Sequence, residues 1–119
     1  MTAIQPNGRV YSLDLFGAKF NDYWLGRLNY FGGLRSLTLY GTGVSEEGLS
    51  RSLILEQLLD LSIFGGIWVT DKTLERLAKL PQLREVTITY AVNVTDEAVR
   101  RLRVARPNLM ISIERPALE

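Results

Sequence analysis

The spacing of apolar residues changes within each repeating segment of this chain, from every second residue to every third or fourth. In the clearest segment, Leu58, Leu61 and Ile63 form the pattern of a short strand with one buried face. Leu74 and Leu77 follow one helical turn apart. One strand and one helix cannot bury their apolar sides alone, so we expect several such units to stack against one another.

The same pattern starts five times along the chain. The first apolar positions of the units are Val10, Leu34, Leu58, Leu83 and Leu109, at steps of 24 to 26 residues. The last of these begins a strand over residues 109–114, with Ile111 and Ile113 pointing inward. The second unit has Ser52 where other units place a helical leucine, and we expect Leu53 and Ile54 to replace that contact.

The junctions between strand and helix carry capping signals. Each predicted helix follows a residue whose side chain can accept hydrogen bonds from the first turn, namely Asn21, Ser45, Thr70 and Thr95. The next residue is acidic in every unit, which suits the positive end of a helix dipole: Asp22, Glu46, Asp71 and Asp96. A column of glycines follows the strands at Gly17, Gly41 and Gly65, where a sharp backbone turn is predicted.

The predicted repeat domain covers residues 10–114, between a leader of residues 1–9 and a tail of residues 115–119. Residues 2–5 fold back as an antiparallel strand over the end of the stack, or they form an unstructured leader; the sequence leaves both open. The first alternative is favoured by the turn signal at Pro6, Asn7 and Gly8.

The repeated Leu-x-x-Leu-x-Leu pattern, followed by Val-Thr-Asp at residues 69–71 and 94–96, resembles the leucine-rich repeat family. Its Val-Thr-Asp elements are most similar to the cysteine-containing subtype. The resemblance implies an α/β fold, a leucine-rich repeat solenoid that forms a short right-handed arc. It further implies parallel strands on the concave face, helices on the convex face, and a partner protein bound on the concave side.

Composition narrows the function classes. The chain has 119 residues, a net charge of +1, no cysteine and no histidine. These values predict one domain, no cofactor, no metal site and no catalytic residues, since the commonest general base and thiolate nucleophile are missing. A near-neutral charge argues against nucleic acid as a partner. We expect a cytoplasmic protein that binds no membrane, because no apolar run is long enough to span a bilayer and no signal peptide is evident.

Alternation along the strands predicts three columns of side chains on the exposed sheet face. The most informative column contains three aromatic residues at one repeat position, Phe16, Tyr40 and Phe64, which form a binding stripe or pack on one another at the sheet rim. Further candidate binding residues from the other two columns are Asp14, Thr38, Ser62, Asp60 and Glu85. The acidic members favour a partner that carries Lys or Arg.

Two features outside the columns are also candidates. Trp68, in a long loop, projects as an anchor or folds onto Val69 as part of the core. Tyr23 and Trp24 on the first helix are expected to shield the open end of the stack. The sequence predicts a non-catalytic binding module or adaptor. The alternative is a structural or assembly subunit that self-associates through the terminal strand edge. We expect either a monomer or a weak homodimer formed through that C-terminal edge.

Overall fold

The computed structural model describes residues 2–4, 10–28 and 33–115, and strands and helices alternate within these ranges. The strands are β1 (Thr2–Ile4), β2 (Val10–Phe16), β3 (Ser36–Tyr40), β4 (Asp60–Phe64), β5 (Glu85–Ile88) and β6 (Met110–Ile113). The helices are α1 (Asp22–Arg27), α2 (Glu46–Arg51), α3 (Asp71–Ala78) and α4 (Asp96–Ala105), with a 3-10 helix (Leu53–Gln57) after α2. The predicted turn at residues 6–8 and residues 116–119 of the tail lie outside the described residues.

The described strands form one sheet in chain order from β1 to β6. The strands β2 to β6 are parallel, and each is joined to the next through a helix. Only β1 runs antiparallel, with Thr2 opposite Leu13 and Ile4 opposite Val10. The architecture is therefore α/β, with five parallel strands and one antiparallel strand at the β2 edge.

The hydrophobic core lies between the sheet and the helix layer. On β3 and β4 the burial alternates, so that Leu37, Leu39, Leu61 and Ile63 are at most 1% exposed while their neighbours are half-buried. The helices contribute Leu25, Leu49, Leu74, Leu77 and Leu102 to the same cluster. Each such side chain contributes about 1.5–3 kcal/mol when it is removed from water, which explains why the units stack.

The second unit fills its core differently from the prediction. Ile54 is 1% exposed and replaces the missing leucine, whereas Leu53 is 67% exposed and makes no such contribution. The 3-10 helix that follows Ser52 turns through three residues per turn, so Leu53 and Ile54 point in different directions. The prediction was right for Ile54 and wrong for Leu53.

The predicted N-caps begin the four helices, and three of them cap with their side chains. The Asn21 side chain accepts from the amides of Tyr23 and Trp24. The hydroxyl of Ser45 accepts from the Gly48 amide at 3.1 Å, and that of Thr95 from the Ala98 amide at 3.1 Å. Each bond satisfies one of the amides left without a partner in the first turn.

A second set of hydrogen bonds joins one helix start to the next. The Asp22 carboxylate accepts from the amide of Ser45 at 2.8 Å and from its hydroxyl at 2.5 Å. The Asp71 carboxylate accepts from the amide and the hydroxyl of Thr95, both at 2.8 Å. In the first and third units, the acidic residue after the N-cap thus also binds the N-cap of the following unit.

The junction between the second and third units breaks this series. The equivalent acid is Glu46, whose carboxylate is 3.5 Å from the Ser50 hydroxyl. The Thr70 amide donates to the Thr73 hydroxyl at 3.1 Å instead, and the buried Thr70 Oγ1 makes no hydrogen bond. α3 begins after Thr70 as expected, and Thr70 and Thr73 are arranged as a capping box, but the contact from the Thr73 amide to the Thr70 hydroxyl is too poor in geometry to be a hydrogen bond.

The chain turns sharply after each of the first parallel strands. Gly17, Gly41 and Gly65 have φ angles of 94°, 55° and 81°, in the left-handed region that glycine adopts without steric cost. Tyr90 occupies the same place in the fourth unit with φ of 57°, and among the described residues it is the only other residue type with positive φ. Across the described ranges, the helices are too short or too polar to cross a membrane.

Candidate functional site

The face of the sheet turned away from the helices carries three columns of side chains in register. Strand pairing places Ser12, Ser36, Asp60, Glu85 and Met110 in the first column, and Asp14, Thr38, Ser62, Thr87 and Ser112 in the second. The third contains Phe16, Tyr40 and Phe64. Parallel pairing in strict register produces these columns, since each strand repeats the alternation of its neighbour.

The aromatic column is a continuous stack. The ring centroids of Phe16 and Tyr40 are 4.4 Å apart with an interplanar angle of 7°, and those of Tyr40 and Phe64 are 4.7 Å apart at 8°. These spacings are close to the distance of about 4.8 Å between neighbouring strands, so backbone pairing holds the rings face to face. We refer to these three residues as the aromatic stack.

The aromatic stack packs on itself and is also open to solvent. Phe16 at its end is 63% exposed, and Tyr40 and Phe64 are half-buried. Tyr40 covers one face of the Phe16 ring, and the other face is the outer surface of the stack. The packing alternative drawn from the sequence is thus present in the geometry, and it leaves the ring edges and one ring face accessible.

Carboxylates on the same face are concentrated in the first two columns. Asp60 on β4 is directly opposite Glu85 on β5, and both side chains are turned away from the core. No ion pair among the residues that the structure describes involves either carboxylate. Like charges directly opposite each other on neighbouring strands repel. The repulsion between Asp60 and Glu85 therefore slightly destabilises the protein when no partner is bound, and the two negative charges attract cations.

The tryptophan in the third loop does not project. Trp68 is partly buried and packs against the core, which corresponds to the core alternative rather than the anchor. Its neighbour Ile67 is 57% exposed and is the side chain that this loop presents to solvent. The sequence could not distinguish these two because the loop has no repeated pattern from which to read a direction.

The first helix presents aromatic side chains to solvent. Tyr23 and Trp24 are 62% and 51% exposed, and their rings meet edge to face with centroids 5.1 Å apart. The Arg27 guanidinium lies 5.8 Å from the centre of the Tyr23 ring. We expected these rings to shield the open end of the repeat units. That expectation is met only in part, because at least half of each side chain remains accessible to solvent.

Most of the arginines in and directly after the last helix bind neighbouring carboxylate or carbonyl oxygens. Arg100 and Arg101 both pair with Glu97, and the hydrogen bond from Arg100 holds the pKa of that carboxyl below its ordinary value. Arg106 donates to the carbonyl oxygens of Leu80 and Leu83, which ties α4 to the preceding unit. These three arginines therefore have partners within the helix layer.

A groove of about 450 Å³ lies between α3 and α4 on the helix side of the molecule. Its floor is apolar, with Leu74, Ala98 and Leu102, and its charged rim residues have both signs: Asp71, Glu75, Glu97, Lys79 and Arg101. Such a rim selects neither a cation nor an anion. No group of metal-ligating side chains is found within the described part of the chain.

Tyr90 is the candidate that sequence reasoning missed. It is 58% exposed, directly follows the strand position next to Phe64, and keeps a backbone conformation that favours glycine. Val92, in the same loop, is 47% exposed. Aligning the units would have revealed the signal, since Tyr90 replaces the third-loop glycine Gly65.

Comparisons with known proteins concern the fold. No family model matches the chain, and no curated protein matches it. Among solved structures, the chain is similar to a chain in the crystal structure of the Rad7 and Elc1 complex in yeast, with a TM-score of 0.69 and 21% sequence identity. The similarity covers 80% of this chain and 25% of that chain, so this chain spans about a quarter of the neighbour's length. At this level of identity the similarity shows a common fold.

Proposed function

We propose that this protein is a non-catalytic binding module of the leucine-rich repeat type, which docks a partner protein on the exposed face of its sheet. The aromatic stack carries the proposal: three aligned rings, one of them 63% exposed, lie on a regular and rigid surface. Large aromatic side chains dominate binding energy at protein interfaces and are seldom left open on a sheet without a use. In this proposal the sheet lines the concave side of a short solenoid, and the helices form its convex side.

Two further observations support a protein partner. Five in-register strands give a surface whose backbone is already ordered by strand pairing, so little backbone conformational entropy is lost on binding. The structural neighbour belongs to a complex of two proteins, Rad7 and Elc1, which is compatible with an adaptor role. The proposed site consists of the aromatic stack with Asp14, Thr38, Ser62, Asp60 and Glu85.

Affinity capture with identification of the bound protein tests this proposal. The bait is the wild type beside a Tyr40→Glu/Phe64→Glu variant, which places charge in the aromatic stack. The matched control is Leu53→Glu/Val104→Glu, because these apolar side chains are 67% and 76% exposed away from the sheet face. We expect a heterologous partner to be captured by the wild type and the control and lost from the stack variant. Equal capture by all three baits would refute docking on the stack.

A second candidate function is self-association through β6. Ile111 and Ile113 remain half-buried, whereas the equivalent Leu37 and Leu39 of β3 are at most 1% exposed. The β6 side of the core is thus less completely covered, and a second copy that paired with this strand would cover it. Sedimentation velocity over a wide range of protein concentration distinguishes the candidates. A dimer that forms as concentration rises would support assembly, and a monomer throughout would exclude it.

A further inference from the structure

The sheet face has a charge that differs from that of the rest of the molecule. Its three columns, continued by Thr89 and Glu114, contain four carboxylates and no lysine or arginine; the carboxylates are Asp14, Asp60, Glu85 and Glu114. The whole chain has 14 basic and 13 acidic residues and a net charge of +1. Among the described residues, the cations lie on the helices, in the loops and directly next to the strands, and the three columns themselves are acidic.

From this charge and the aromatic stack we infer that the partner contributes an extended segment with arginine side chains. The inference rests on the proposed docking function and specifies the chemistry of the partner. An arginine suits this face better than a lysine, because a planar guanidinium can stack on a ring and bind a carboxylate through two donors. The same sheet face carries seven hydroxyl groups, which can accept hydrogen bonds from the backbone of such a segment or donate hydrogen bonds to it: Ser12, Ser36, Thr38, Ser62, Thr87, Thr89 and Ser112.

The first arginine position is at the end of the aromatic stack. The outer face of the Phe16 ring is free of Tyr40, and the negative face of an aromatic ring attracts a cation placed over it. The outer ring face therefore offers a position for a planar cation such as a guanidinium.

The second arginine position is the pair formed by Asp60 and Glu85. The two residues are opposite each other on neighbouring strands, and no ion pair among the described residues involves them. A guanidinium placed between them removes the like-charge repulsion and gains two charge-assisted hydrogen bonds. The electrostatic imbalance of the free face thus becomes a favourable contribution when the partner binds.

Sheet geometry gives the spacing of the two arginines. The Asp60–Glu85 pair lies two to three strands and four strand positions away from Phe16. With strands about 4.8 Å apart and about 3.3 Å per residue, the separation is about 18 Å. An extended chain spans that distance in about five residues. The segment therefore crosses the strands obliquely and carries arginines about five positions apart.

The test uses a short Gly/Ser peptide with two arginines about five positions apart, titrated into the isotopically labelled protein and followed by amide chemical shifts. Peptides with lysine or citrulline in both positions are the controls for planarity and charge. We expect shift changes along the sheet columns, an affinity at least threefold weaker for the lysine peptide, and no binding of the citrulline peptide. Equal affinity for the three peptides, or no binding of the arginine peptide, would overturn the inference.

Protein variants separate this inference from the proposed function. Asp60→Asn/Glu85→Gln should weaken binding of the arginine peptide at least fivefold, while Glu75→Gln, an exposed substitution on α3, should leave it unchanged. If a captured partner is lost with the Tyr40→Glu/Phe64→Glu variant but bound equally by Asp60→Asn/Glu85→Gln, docking stands and the arginine partner is refuted. If neither variant affects capture, both proposals fail.

Discussion

Replacing Glu46 with aspartate should repair the interrupted hydrogen-bond series and stabilise the protein. At the two intact junctions, the carboxylates of Asp22 and Asp71 each accept from the amide and the hydroxyl of the next N-cap. At the interrupted junction the longer glutamate turns to Ser50, and Thr70 Oγ1 is buried without a partner. The aspartate introduced by Glu46→Asp has the same side-chain length as Asp22 and Asp71, which reach the next N-cap at the two intact junctions.

The size of the effect follows from the state of Thr70. A buried hydroxyl without a partner costs about 1–3 kcal/mol, and a bond to a charged acceptor recovers most of that. The contact that is given up, between Glu46 and Ser50, has a distance of 3.5 Å and contributes little. We therefore expect Glu46→Asp to raise the free energy of unfolding by about 1 kcal/mol, and Tm by about 4 °C for a domain of this size.

Urea denaturation of four proteins measures this effect as a double-mutant cycle. The proteins are the wild type, Glu46→Asp, Thr70→Val and the double variant. Valine preserves the shape of the threonine and removes its hydroxyl, so Thr70→Val alone should be neutral or slightly stabilising. The gain from Glu46→Asp should be clearly smaller in the Thr70→Val background, where only the amide of residue 70 remains to donate. An equal gain in both backgrounds, or a loss of stability in Glu46→Asp alone, would refute the reasoning.

The other predictions concern backbone positions. Gly26→Ala should raise the free energy of unfolding by up to about 1 kcal/mol, because an added Cβ in α1 meets no atom within 4 Å and alanine favours helix. Gly43→Ala should lower the free energy of unfolding by about 2 kcal/mol, because the Cβ would lie 2.6 Å from the Ala18 carbonyl oxygen and overpack the backbone. Thermal unfolding should therefore show a higher Tm for Gly26→Ala and a lower Tm for Gly43→Ala. A change of the same sign in both variants would contradict these assignments. Tyr90→Asn should stabilise by about 0.5–1 kcal/mol because the short polar side chain of asparagine can hydrogen-bond locally at positive φ, whereas Tyr90→Ala, which has no such group, should not. Denaturant titration of the two Tyr90 variants checks this, and a gain from alanine equal to that from asparagine would show that local hydrogen bonding is not the cause.

The repeat period made much of the sheet predictable from the sequence. Once the unit starts were aligned, alternation placed Phe16, Tyr40 and Phe64 in one column, and strand pairing has them in that register. The inward positions followed in the same way, because a one-residue slip would turn every apolar side chain out of the core. The direction of each periodic side chain could be predicted because the same position faces the same side of the sheet in every unit.

Features that depend on a contact between units, or that lie outside the repeated pattern, could not be predicted from the sequence. The Thr70 hydroxyl has no partner, and the residue that would have to supply one, Glu46, lies 24 positions earlier and contacts Ser50 instead. The directions of Leu53 and Trp68 depend on a 3-10 helix and a long loop, where neither the strand period nor the helix period applies. The binding role of the sheet face stays a prediction, because a sequence pattern fixes where side chains lie and not what covers them.

Photo-crosslinking from the aromatic stack tests the docking account most directly. The photoreactive aromatic amino acid p-benzoylphenylalanine replaces Phe16, which is 63% exposed at the end of the stack. A matched protein carries the same amino acid at Glu75, an exposed position on α3. Irradiation in a native lysate should produce a distinct crosslinked product with one heterologous protein from position 16 and not from position 75. Crosslinks only from position 75, or only between copies of this chain, would contradict docking on the sheet face.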